Sequence, residues 1–207
     1  MKLGEIKLEA LRLMFMGGAL EIGWDQLVDM LDDDTYGYYL SRMPGAIDRA
    51  LAVIERRRVV PTRSYAFEAA GEEVLRLDLR AEIPDFYDIE RLICEDGCGY
   101  DGAAPYRREG DVLVILSPED GARYTLLYLP TLRRVGAGTD DALELSLPDQ
   151  IACLIPYAIK GDLFRDDDPD EAEAARARFE MGLEEIRQGR RDGYAGSVRT
   201  VYGGGLL

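Results

Sequence analysis

The feature that most constrains this chain is a double change of hydrophobic period. Up to residue 60 apolar residues recur at three- and four-residue steps; from Pro61 they alternate; from Ser146 the helical period returns. In "LGEIKLEALRLMFM", Leu3, Ile6, Ala10, Leu13 and Met14 share one helical face, and Leu8, Leu11 and Phe15 widen it. A helix this apolar is buried or covered by another subunit. Gly17-Gly18 predicts its end. "WDQLVDML" reads as a short helix with Asp25 as N-cap. "YGYYLSRM" begins a third, interrupted at Pro44-Gly45 and resumed as "AIDRALAVIERRR".

The middle of the chain is extended. "EVLRLDLR" alternates leucines with charged residues, the pattern of a half-buried strand. "DVLVILS" and "ARYTLLYL" flank the turn signal "PEDG", which predicts a hairpin over 111–129. "FYDIERLICED" and "ALELSL" read as further strands. Beyond them "SLPD" places Ser146 as N-cap of a helix, with Pro156 predicting a kink near 152–156. Asp168-Pro169-Asp170-Glu171 opens a last helix that fades before Gly189. Helices, strands, then helices predict an α+β fold, with helical N- and C-terminal segments packed together and a small antiparallel β unit inserted. The expected division is an N-terminal helical segment (1–60), a β insertion (61–146), a C-terminal helical pair completing the helical domain (147–189) and an extended arm (190–207).

Candidate chemistry is thin. The chain has no histidine, which removes Ser-His and Cys-His nucleophile activation and the commonest general base. No nucleotide-binding or nucleophile-elbow motif stands in the required context, so no catalytic or cofactor-binding residue is assigned. "CEDGC", with Cys94 and Cys98, has the wrong loop for a zinc knuckle, and too few thiolates exist for a zinc site without histidine. The expectation is a turn flanked by two thiols, and an odd count of three cysteines points to a reducing compartment. "DDDTYG" resembles the start of a calcium loop, but Tyr36 and Met43 fall where ligands are required. No metal is expected. The acid-rich stretch "GDLFRDDDPDEAEAARARFE" reads as a turn, a cap and a seam of Ala172, Ala175, Phe179, Leu183 and Ile186. Net charge is −15, which disfavours bulk attraction to nucleic acid or anionic lipid. "LRLMFMGGAL" is flanked by acids and too short to span a bilayer, so no membrane association is expected.

Two other features stand out. Tyr36, Tyr38, Tyr39, Tyr87, Tyr124 and Tyr128 are candidates for a stacking platform, and equally for core edges. The last residues carry Arg187, Arg190, Arg191 and Arg199 against Asp192 alone, a basic arm on an acidic chain. Within it "SVRTVY" alternates and suits strand addition to a neighbour. Arg190, Arg191, Val198, Arg199, Val201 and Tyr202 are therefore the candidate interaction residues.

Three stretches, "MKLGEIKLEALRLMF", "YGYYLSRMPGAIDRALAVIERRRVVP" and "LPDQIACLIPYAIKGDLFRDDDPDEAEAARARFEMGLEEI", together resemble the head–tail connector (adaptor or neck) proteins of tailed bacteriophages. The resemblance covers both helical ends. It implies a non-enzymatic virion protein, made in the bacterial cytoplasm, that forms an oligomeric ring, typically a dodecamer, beneath the portal. Such a ring extends the DNA channel, lets DNA pass without sequence-specific binding, and presents a platform to the next neck or tail protein. The β insertion is large for the simplest adaptors. Two alternatives compete with it: a carbohydrate- or peptide-binding module with a tyrosine-lined β groove, and an acid hydrolase with paired carboxylates.

Overall fold

A computed structural model describes residues 1–15, 23–95 and 104–201, with side chains described up to residue 189. The fold is α+β, and the chain divides into two compact units: Met1–Val59 with Arg133–Leu207, and Val60–Leu132.

The first unit is helical. Helix α1 (Leu3–Met14) is followed by a 3-10 segment (Trp24–Met30) and helix α2 (Tyr36–Arg56). After the β unit come α4 (Asp149–Ala152), α5 (Ile155–Leu163) and α6 (Pro169–Val201). Helix α5 lies at the centre, in contact with α1, α2 and α6. That position explains why "IPYAIKGDL" is apolar on most sides. Gly17-Gly18 lies outside the described residues, while α1 itself closes at Phe15, whose N–H donates to the Leu11 carbonyl.

Several expectations about this unit are corrected. Asp25 does not cap the 3-10 segment; Gly23 precedes it, and its N–H donates to the Gln26 side chain (3.1 Å). Pro44 does not interrupt α2. Losing one helical hydrogen bond at a proline costs about 3 kcal/mol. Against this, Met43, Ile47, Leu51 and Ile54 are essentially fully buried on one continuous face, each contributing about 1.5–3 kcal/mol. Packing wins. Ser146 is not a cap either: Pro148 takes that place and its carbonyl accepts from Ile151 and Ala152. The predicted kink is a full break, with Pro156 seated in the first turn of α5, where it needs no amide partner.

Helix α6 begins as expected. Asp168 Oδ1 accepts from the Glu171 N–H (3.1 Å), and Pro169 is its first residue. Ala172, Ala175, Phe179 and Leu183 are buried along the seam. The approach to α5 is close: a Cβ on Gly161 would stand 3.1 Å from the Ala172 carbonyl oxygen. The helix does not fade at Gly189 but continues to Val201, so 190–201 is not an extended arm. Gly189, Gly193 and Gly196 each cost about 1 kcal/mol relative to alanine, and the strong helix formers Arg187 and Gln188 precede them while Arg190, Arg191 and Ala195 lie between them.

The second unit is the β insertion. Strands β1 (Arg63–Glu68), β6 (Arg123–Pro130) and β3 (Phe86–Cys94) form one antiparallel sheet in the order β1-β6-β3. Strands β2 (Val74–Asp78), β5 (Val112–Leu116) and β4 (Arg107–Glu109) form another in the order β2-β5-β4, with the short helix α3 (Leu79–Glu82) after β2. The predicted hairpin does not form, because β5 and β6 belong to different sheets. "SPEDG" is instead a corner. Here the chain β1–β2 and the returning chain β5–β6 stay paired, through Ala69 N–H to Ala122 O (3.0 Å) and Ser117 N–H to Glu73 O (2.9 Å). Positive φ at Gly71, Gly121 and Ser117 turns both chains at that corner. The bend encloses one core containing Leu75, Leu79, Phe86, Leu92, Leu113, Ile115 and Leu126. A straight hairpin would leave these apolar faces open.

The β unit also ends earlier than expected. "ALELSL" is no strand; Glu144 makes a single bridge to Lys2. Residues 133–146 belong to the helical unit, tied by Arg134 to Glu55 (2.5 Å), Val135 N–H to Asp48 (2.6 Å) and Lys7 to Asp141 (2.6 Å).

Candidate functional site

The acid-rich stretch 161–180 is structural to a greater degree than capping alone predicts. Asp162 pairs with Arg49, Glu180 with Arg57 (2.5 Å), and Glu171 with Lys160 (2.7 Å). The Lys160 ammonium also donates to the Leu13 carbonyl (2.9 Å), so one nearly buried cation joins α1, α5 and α6. Asp167 accepts from the Tyr39 hydroxyl (2.5 Å). Burial, and then that carboxylate, push the Tyr39 phenol up to about 12. These acids hold helices to one another; none is left converging with others on open space. Among the described residues no group of three His, Cys, Asp or Glu side chains could hold a metal ion.

The tyrosines do not converge. Tyr124 and Tyr128 are buried in the β core, Tyr124 stacked on Phe67 and Tyr128 donating to Asp85 (3.0 Å). Burial raises both phenols. Tyr39 is buried in the helical unit, in an edge-to-face cluster with Phe15 and Tyr36. Tyr38, partly covered by the Arg42 guanidinium, and Tyr87 are the exposed ones, in different units. A groove lined by Tyr124 and Tyr128 does not exist.

Cys94 is disulfide-bonded, which corrects the expectation of two free thiols and removes the ground for a reducing compartment. Cys98 lies outside the described residues. Cys153 is free and exposed.

Helix α1 is not an open assembly face. Leu3, Ile6, Ala10 and Leu11 are completely buried within the helical unit, and the returning segment is bonded to the start of α1 through Leu3 N–H to Leu143 O (2.8 Å). The apolar surface left open is elsewhere. Val28 and Leu31, in and just after the 3-10 segment, are 64% and 50% exposed. They rim a groove of about 610 Å3 floored by Leu27, Leu40 and Pro44 and closed on its far side by 137–142. Periodicity could not reveal this groove, because the 3-10 segment lacks a helical stripe and 137–142 is irregular.

The predicted interaction residues fall on α6. Arg190, Arg191, Val198, Arg199 and Val201 occupy its last turns, and Tyr202 lies outside the described residues. At 100° per residue, positions 187, 190, 191, 194, 198 and 201 share one face of the helix, while Arg199 stands off it. The sequence pattern read as an alternating strand is thus a helical one: basic at 187–191, apolar at 194–201.

Among the described residues, no helix is long and apolar enough to cross a membrane. No protein-family model matches the chain, and comparison with curated proteins finds no relative.

Proposed function

We propose that this chain is a structural, non-catalytic subunit of a phage head–tail connector, located in the virion as a ring beneath the portal. One observation carries the reading. The three stretches that resemble connector proteins, distant in sequence, supply α1, α2 and α4–α6, the helices of a single unit. The β unit is then an insertion that leaves the helical frame intact. The acidic remainder suits a channel wall that repels phosphate rather than gripping it. The carbohydrate-binding alternative loses its motivating feature with the burial of Tyr124 and Tyr128.

The test is electron microscopy and mass spectrometry of purified particles, with mass photometry of the full chain mixed with its portal. Rings on the portal are expected. Absence from particles together with no portal binding refutes the proposal. Deleting residues 190–207 leaves the helical unit folded, since Leu183 is the last buried seam residue among the described ones, and abolishes docking. Unfolding of the truncated protein would show that the tail belongs to the core.

A further inference from the structure

We infer that strand β1 is an open sheet edge on which a second copy of this chain pairs its own β1, antiparallel, with Ala66 on the two-fold axis. The inference goes beyond the connector reading and does not rest on it. A two-fold contact closes on itself, so it joins two free chains or two rings and is not the contact that repeats around one ring.

Backbone alternation is the first argument. The Ala69 N–H donates to the Ala122 carbonyl (3.0 Å), and on the far side of β6 the Arg123 carbonyl accepts from Glu95 (2.9 Å). Alternation along the strands then turns the amides of Arg63, Tyr65 and Phe67 toward β6 and those of Ser64, Ala66 and Glu68 away from it. The outward donors and acceptors have no hydrogen-bond partner among the described residues, and all three residues are exposed. Unpaired edge groups are a template for another strand.

The lack of any guard on this edge is the second. Strand β4 is only 3 residues long, β3 is irregular in register and lends its Leu92 carbonyl to Ala104, and β2 has charged Arg76 and Asp78 along its edge. Strand β1 has neither proline nor lysine, keeps regular register against β6, and has no charge between Arg63 and Glu68. Those two charges cancel. A chain of net charge −15 thus offers a neutral stretch where two copies meet with least repulsion.

Self-complementarity is the third. With Ala66 opposite Ala66 of the second copy, Ser64 faces the second copy's Glu68, and every outward donor meets an outward acceptor. The same register sets Tyr65 opposite Phe67 of the second copy at a non-hydrogen-bonded site, where side chains stand closest. Within one chain Tyr65 and Phe67 stack with centroids 6.2 Å apart, and Phe67 stacks on Tyr124 at 5.5 Å. Both are only half-buried against the β core. Pairing continues that aromatic row across the interface and covers the ring surface left open.

The test uses the full chain, followed by sedimentation velocity as concentration rises. One short strand makes an interface below the usual size, so a dissociation constant on the order of 100 μM is expected. Ala66→Pro removes only an outward N–H and leaves the β1–β6 ladder whole. It weakens association at least tenfold while the calorimetric transition of the β unit is retained. In a Cys153→Ser background, Ala66→Cys gives a disulfide-linked dimer under mild oxidation, because directly opposed residues lie within bridging distance. Ser64→Cys alone does not, and mixing Ser64→Cys chains with Glu68→Cys chains restores the link. A monomer at every concentration, association that survives Ala66→Pro in the folded protein, or linkage through Ser64→Cys as ready as through Ala66→Cys overturns the inference. If the Ala66→Pro chain does not fold, the cysteine series decides. Rings on the portal without this dimer would leave the connector reading standing and this inference wrong.

Discussion

Two glycines on α2 predict opposite outcomes from the same substitution. At Gly37 a Cβ would lie 2.1 Å from the Leu31 carbonyl oxygen, about 1.3 Å inside the 3.4 Å where ordinary contact begins. The obstacle is backbone, and it cannot rotate aside. The turn it belongs to is fixed by Asp33, whose Oδ1 accepts from Thr35 (2.8 Å) and Tyr36 (2.9 Å) and whose carbonyl accepts from Gly37 (2.9 Å). Overpacking costs up to about 3 kcal/mol, and loss of the Asp33 cap adds about 1 kcal/mol. Alanine returns about 1 kcal/mol through helix propensity. The net for Gly37→Ala is a loss of about 3 kcal/mol, or roughly 6–12 °C in Tm. Gly45 lies on the exposed side of the same helix and would meet only the mobile end of Arg49 at 3.4 Å. Gly45→Ala therefore stabilises by about 0.5–1 kcal/mol. Trp24, the single tryptophan, sits in the helical unit and reports its unfolding in urea by fluorescence. A Gly37→Ala protein within 0.5 kcal/mol of wild type, or a shared sign for the two variants, would refute the steric reasoning.

Three further outcomes are expected. The folded Tyr39 pKa, about 12, exceeds the unfolded value near 10, so its contribution is intact below pH 10 and is lost as pH rises toward 12. That loss is at most about 2.7 kcal/mol; Tyr39→Phe removes it from alkaline urea titrations while costing about 1 kcal/mol at neutral pH. Asp168→Ala unties the first turn of α6 and costs about 1 kcal/mol, read from the same Trp24 signal. Ser117, at φ +50, sits at the β corner in a conformation that favours glycine, so Ser117→Gly raises the calorimetric stability of the β unit by about 0.5–1 kcal/mol.

Periodicity located α1, α2, β2, β3, β5, β6 and the start of α6, because each buries one continuous face or sits behind a capped proline. It failed where long-range pairing decides. "PEDG" has the composition of a hairpin turn, yet the apolar faces of its strands are better buried by folding the ribbon over itself. Pro44 carries a local penalty that a full helix face outweighs. The end of α6 combines glycines with β-branched residues, and alternation over six residues resembles helical spacing over the same stretch. The groove was illegible for another reason: its two walls, 24–31 and 137–142, lie more than a hundred residues apart and neither has a regular period.

The β unit interrupts the helical unit in the order of synthesis as well as in sequence. Helix α1 ends at Met14, and α5, which covers it, begins at Ile155. At ribosomal rates of roughly 5–20 residues per second, α1 emerges some 7–28 seconds before its partner exists. During that interval Leu3, Ile6, Leu8 and Leu11 have only the 3-10 segment and α2 to pack against, while Val60–Leu132 is completed before α5 begins and can fold. The nascent chain thus reaches α5 with a complete β unit following an apolar helix that still lacks its main cover, and the demand it makes on chaperones falls on α1.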